Sequence, residues 1–109
     1  MATAFKNSIT GIIGTESRRI YKCPAGTTAT VIGLSLANIS GSEATGNVII
    51  KANTSFQAHI IKDAPIPVGG ALIVIGGDQK VVLEAADEMR VKGGASASLS
   101  AVVSILEQT

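Results

Sequence analysis

The chain has 109 residues, nine Lys/Arg against eight Asp/Glu, one histidine, one cysteine and no tryptophan. That length suits a single domain able to remove roughly two-thirds of its unfolded surface from water. A formal charge of +1, with both signs scattered along the chain, argues against a broad polyanion-binding face or an acidic tail. The only basic cluster is Arg18-Arg19 with Lys22, which reads as a solvated edge.

Apolar residues make up 46% of the chain, yet Phe5, Tyr21 and Phe56 are its only aromatics, while Gly, Ala, Ser and Thr fill 46 positions. Small side chains let sheets or neighbouring subunits approach closely but bury little area each. The mean hydropathy of +0.41 is high for a free-standing domain. No apolar run nears the ~20 residues of a membrane span, so the excess is expected to be buried against other chains. The segment Met1 to Lys6 lacks a basic flank followed by a hydrophobic core and does not read as a secretory signal. A lone Cys23 cannot form an internal disulfide and suits a reducing cytoplasm.

Period-two alternation recurs along the chain. Strands are expected over 4–13, 18–23, 28–39, 47–53, 57–62, 71–76, 80–84, 88–92 and 96–107. In the third, Ile32, Leu34 and Leu36 should share one face and Val31, Gly33 and Ser35 the other. In the last, Ala97, Leu99, Ala101, Val103 and Ile105 share a face, opposite Ser98, Ser100 and Ser104, with Val102 and Leu106 interrupting the serines. Met89 and Val91 alternate with Glu88, Arg90 and Lys92. Turns are expected at Pro24-Ala25-Gly26, Ser40-Gly41-Ser42, Gly46-Asn47, Pro65 to Gly70, Gly76-Gly77-Asp78 and Gly93-Gly94. Pro65 and Pro67 lack ladder donors, which places their segment in a loop or at a sheet edge. Val82 to Met89 is the best helix candidate and fits strand–turn–strand equally well. Eight or nine short strands in one domain, 1–109, predict an all-β antiparallel sandwich of jelly-roll or Ig-like type. Val48 to Ile50 and Leu72 to Ile75 are apolar on both faces. Their second cover is expected to come from another subunit, with a local loop as the alternative.

Catalytic chemistry finds little support. His59 and Asp63 share a strand face but lie about 13 Å apart, too far for a dyad. One Cys and one His do not make a zinc site. Asp78, Glu84, Asp87 and Glu88 are the only dense acidic set, and they lack calcium-loop spacing. Three aromatics leave little with which to build a glycosidase cleft. The Gly pairs lack the Lys-Ser/Thr of a phosphate loop. Lys22 beside Cys23 could lower the thiol pKa, but no base accompanies it. The expectation is a protein that is not an enzyme, with no catalytic residue, no metal and no cofactor.

Four stretches carry a family resemblance. Phe5-Lys6-Asn7-Ser8-Ile9-Thr10 leads into Ile13-Gly14-Thr15. Cys23-Pro24-Ala25-Gly26 opens a run that continues to Asn38. The Pro65-Ile66-Pro67 loop leads to Gly76-Gly77-Asp78-Gln79-Lys80. Val82 to Asp87 is followed by the closing Val103-Ser104-Ile105-Leu106-Glu107. Together they resemble small virion structural proteins of tailed bacteriophages, especially those infecting cyanobacteria. Similar sequences carry Gly before the acidic turn residue where this chain has Ala86, which leaves the turn type open. The resemblance implies a virion location and a non-enzymatic particle component, foremost a capsid cement or decoration protein. Neck, tail or baseplate is the rival position. A glycan-binding host-attachment module is the alternative of another class. Expected partners are the major capsid protein or neck and tail proteins, and further copies in a homo-oligomer, with no direct nucleic acid and no membrane. Candidate contact residues are the larger apolar groups near expected loops and edges: Phe5, Ile12, Ile13, Tyr21, Phe56, Ile66 and Val68.

Overall fold

A computed structural model describes residues 3–52, 56–76 and 80–109. Nine strands are described: β1 (Thr3–Ile13), β2 (Arg18–Lys22), β3 (Thr28–Asn38), β4 (Ala44–Lys51), β5 (Gln57–Ile66), β6 (Ala71–Ile75), β7 (Val81–Leu83), β8 (Glu88–Gly93) and β9 (Leu99–Gln108). They form two antiparallel sheets: sheet A, ordered β1-β9-β3-β6 with β7 also on β3, and sheet B, ordered β2-β8-β4-β5. β6 pairs with Leu34–Ala37 of β3 and β7 with Ala29–Val31, so the two are halves of one interrupted edge strand. Counted that way, each sheet has four strands and the chain crosses between sheets at nearly every step, staying in one only for the β4–β5 hairpin. That is jelly-roll connectivity. An immunoglobulin sandwich keeps its first two strands in one sheet. Here β1 and β2 lie in different ones.

The core lies between the sheets. Leu99, Ala101, Val103 and Ile105 of β9 face Val48 of β4 and Met89 and Val91 of β8, all buried. The expected alternation in β8 and β9 therefore holds. In β3 it breaks. Ala29 and Val31 are buried, then Leu34 and Leu36, because a register shift between Val31 and Gly33 inserts one residue at Ile32. A bulge of this kind resets the side-chain phase, so Ile32 does not share the face of Leu34 and Leu36.

Three local features depart from the expected strands. Gly46-Asn47 lies inside β4 instead of in a turn. A Cβ on Gly46 would approach Leu36 Cδ1 to 3.0 Å and Ile66 Cδ1 to 3.3 Å, so its bare backbone makes room for the core. β5 runs through Pro65, which pairs with Thr45 at the open edge of sheet B, where a missing N–H costs no ladder bond. Between β7 and β8 the Asp87 N–H donates to the Glu84 carbonyl (3.0 Å), and Ala86 at φ 71° takes the left-handed position. A positive φ at the third residue alone marks a type II turn, the conformation that favours Gly there. Asn53 of an expected strand, Gly77 and Asp78 of an expected turn, and Gln79 of the third resembling stretch lie outside the described residues.

Buried polar groups pin the ends of the sandwich. Asn38 Nδ2 donates to the carbonyls of Ser42 (2.8 Å) and Ile66 (2.9 Å), while its Oδ1 accepts from Ser40 N–H (2.9 Å) and Oγ (2.7 Å). Glu107, at the far end of β9, accepts from the Tyr21 hydroxyl of β2 and pairs with Lys6 Nζ of β1 at 3.0 Å. This clamp ties both sheets together through one carboxylate.

Candidate functional surfaces

The ladder registers define what each sheet shows to solvent. On sheet A, residues opposite the buried β9 positions point outward. Phe5 pairs with Leu106, Leu106 with Thr30, and Thr30 with Val82. Two residue pairs along, Ile9 pairs with Val102, Val102 with Ser35, and Ser35 with Ile73. Between these two rows runs Asn7–Ser104–Gly33. The face is thus two apolar ridges about 13 Å apart with a small-residue trough between them. Phe5 is 76% exposed, Ile73 72% and Ile9 70%, and Val82 and Val102 are also exposed. No ladder position on this face carries a charge.

Sheet B is the opposite. One of its rows reads Lys22–Glu88–Lys51–Gln57 and the next Arg19–Arg90–Ile49–His59. Lys51, Lys62, Arg90, Lys92, His59 and Asp63 border a shallow concavity of about 860 Å³ whose lining includes Asn47 and Ile49. Charges scattered along the sequence are therefore sorted by the fold, which gathers six Lys/Arg on or beside this face. Ile49, though outward, is buried. Its ladder neighbours are Arg90 and His59. It is thus covered within this chain, where cover from another subunit was expected.

The groups considered for chemistry are placed as follows. Cys23 is buried and its thiol donates to the Thr27 carbonyl at 3.2 Å; burial pushes its pKa up, so the thiolate is disfavoured. His59 and Asp63 border the same concavity, and Asp63 binds Asn47: its N–H donates to Asn47 Oδ1 at 3.0 Å. Asp87 accepts the Glu84 N–H (3.0 Å), while Glu88 pairs with Arg90 at 2.7 Å. That bond holds the Glu88 carboxyl below the usual range, assisted by Arg19 and Lys51. Among the described residues no three of His, Cys, Asp and Glu gather as metal ligands. The Tyr21 phenol is raised well above its ordinary range, first by burial and then by its bond to Glu107, and that bond with Lys6 lowers Glu107.

The seven candidate contact residues do not form one patch. Ile13 and Ile66 are fully buried and cannot reach a partner. A register shift between Thr10 and Ile13 turns Ile13 inward and leaves Ile12 exposed. Ile66, between two exposed prolines, is the inward residue of its strand end. Tyr21 is half-buried, with its hydroxyl engaged by Glu107. Phe5 and Ile12 lie on edge strand β1, Phe56 at the β4–β5 hairpin and Val68 in the Pro67–Gly70 turn, all exposed. Ile9, Ile73, Val82 and Val102 were not singled out by sequence. Their signal was Val102 and Leu106 breaking the serine face of β9.

No family model matches the chain, and no curated protein matches it. Two solved structures share the fold. A chain of the Bacillus endospore appendages, a family of disulfide-linked pili, aligns with a TM-score of 0.56 at 11% identity, covering 98% of this chain and 88% of that one. A chain from the acid-stable capsid of Helicobacter pylori bacteriophage KHP30 aligns with a TM-score of 0.53 at 8% identity, covering 98% of this chain and 87% of that one. At these identities the likeness is one of fold: the architecture occurs in subunits of a pilus and of a phage capsid.

Proposed function

We propose that this protein is a non-enzymatic structural subunit of a bacteriophage virion, a capsid cement or decoration protein that self-associates and binds the assembled shell. The observation that carries the reading is the outer face of sheet A, whose ladder positions are uncharged and which exposes five large apolar side chains. Monomeric soluble domains seldom leave such a face uncovered. The occupant proposed is a second copy. A ridge–trough–ridge face can interlock with itself after an offset of half the ridge spacing, and an uncharged face meets no like charge when paired with its own kind. Binding that favours only the assembled shell would stabilise it by mass action. The shared fold with a capsid chain and a pilus chain supports the assembly role, and the four sequence stretches support the phage context. Two exposed aromatics, Phe5 on sheet A and Phe56 at the β4–β5 hairpin, offer no shared sugar platform, so glycan attachment has less support. Co-sedimentation with empty capsid shells and, separately, with isolated tails tests the reading. Saturable binding to shells supports decoration. Binding to tails alone supports a neck, tail or baseplate position, and binding to neither removes the reading.

A further inference from the structure

Self-association through sheet A leaves the outer face of sheet B unexplained. Six of the nine Lys/Arg stand there or at its rim: Arg19, Lys22, Lys51, Lys62, Arg90 and Lys92. Among the described residues, Glu88 and Asp63 are the carboxylates on that face. Glu88 is bound by Arg90 and lies across the ladder from both Lys22 and Lys51. Among the described residues, Lys22, Lys62 and Lys92 form no ion pair. Ladder neighbours sit about 5 Å apart and successive rows about 7 Å, so these cations repel one another, and Glu88 answers only those beside it. Arg90 is held in place besides: Nε donates to Ser17 Oγ at 2.9 Å and a terminal nitrogen to the Ser17 carbonyl at 3.1 Å. A fixed guanidinium among free ammonium groups is a surface prepared for carboxylates from outside.

A second copy does not supply them, since its sheet B face is equally cationic and its sheet A face carries no charge. Single-stranded nucleic acid lacks its usual partners on this face. Bases are held by stacking on aromatic rings, and the three aromatics stand on sheet A, against Glu107 and at a hairpin end. A flat grid of cations at strand spacing instead matches acidic side chains on another protein's surface.

We propose that the outer face of sheet B docks an acidic protein surface, whose carboxylates seat among Lys51, Lys62, Arg90 and Lys92. This goes beyond the self-association reading and is tested without any particle. Anisotropy of labelled poly-L-glutamate is followed against the full-length protein at low salt, with single-stranded and duplex DNA as the competing probes. The expected result is saturable poly-L-glutamate binding that weakens steeply as salt rises, and weakens about tenfold in K51Q/K62Q/K92Q. A control, A25E/S42E/S96E, lowers net charge equally at exposed loop positions on neither sheet face and should change affinity less than about threefold. Thermal melts show whether both variants keep the fold; if the glutamine variant does not, the single substitution Lys92→Gln, at an exposed site, should still weaken binding against Ser42→Glu. Equal weakening by both charge-matched variants, absence of binding, or tighter binding of DNA than of poly-L-glutamate would overturn the proposal.

Discussion

Placing lysines on the two sheet A ridges, as Ile9→Lys with Ile73→Lys, should abolish self-association while leaving the monomer folded. Phe5, Ile9, Ile73, Val82 and Val102 are the exposed large apolar groups of this face. At roughly 100 Å² each they present on the order of 500 Å² per copy. Two faces together offer about 1,000 Å², near the lower bound of a specific interface. Packing that covers half of it, at about 25 cal/mol/Å², yields about 12 kcal/mol before association costs of about 4–15 kcal/mol. A net of about 6 kcal/mol corresponds to a dissociation constant of tens of micromolar. The double variant removes four isoleucines per dimer, about 5 kcal/mol by the same arithmetic, and adds like charges across the two-fold. Because both side chains are largely solvent-exposed in the monomer, its stability should change by less than about 1 kcal/mol. Sedimentation equilibrium across a hundredfold concentration range measures the association, and thermal denaturation the fold. A wild-type protein monomeric throughout, or a variant that associates as tightly as wild type, would refute the reasoning.

Other consequences are local. Asn38→Ala orphans the buried Ile66 carbonyl and frees the Ser40–Ser42 loop; chemical denaturation should show a loss of about 2–3 kcal/mol. Ala86→Gly relieves a left-handed alanine worth about 1–2 kcal/mol but adds about 0.5–1 kcal/mol of unfolded-state entropy, so the melting temperature should rise by a few degrees. Glu107 has a folded-state pKa below its unfolded value near 4.3, so its contribution is present above that pH and is lost as pH falls through the folded value. Glu107→Gln should cost about 1 kcal/mol at neutral pH and flatten the acid limb of a stability–pH profile below about pH 4.

How much of this was legible in the sequence depended on whether a feature was local. Alternation in β8 and β9 is a property of consecutive residues, and it survives folding because each strand faces one core. The bulges at Ile32 and between Thr10 and Ile13 are set by pairing with β9, so no local pattern announces them, and the phase of Ile13 was lost with them. Gly46 looks like a turn residue until Leu36 and Ile66, from distant strands, are seen to close on it. The sorting of charge is the largest case. Arg19, Lys51 and Arg90 are far apart in the chain and become neighbours only because β2, β8 and β4 lie side by side. Ala86 shows the reverse, a single substitution that raised the question of turn type and that the backbone answers.

The most direct test of the assembly role is co-sedimentation of the purified protein with empty capsid shells. The account predicts saturable binding, with bound copies tracking the shell lattice and loss of binding to disassembled shell subunits. Free protein remaining in the supernatant at concentrations well above its self-association constant would contradict it.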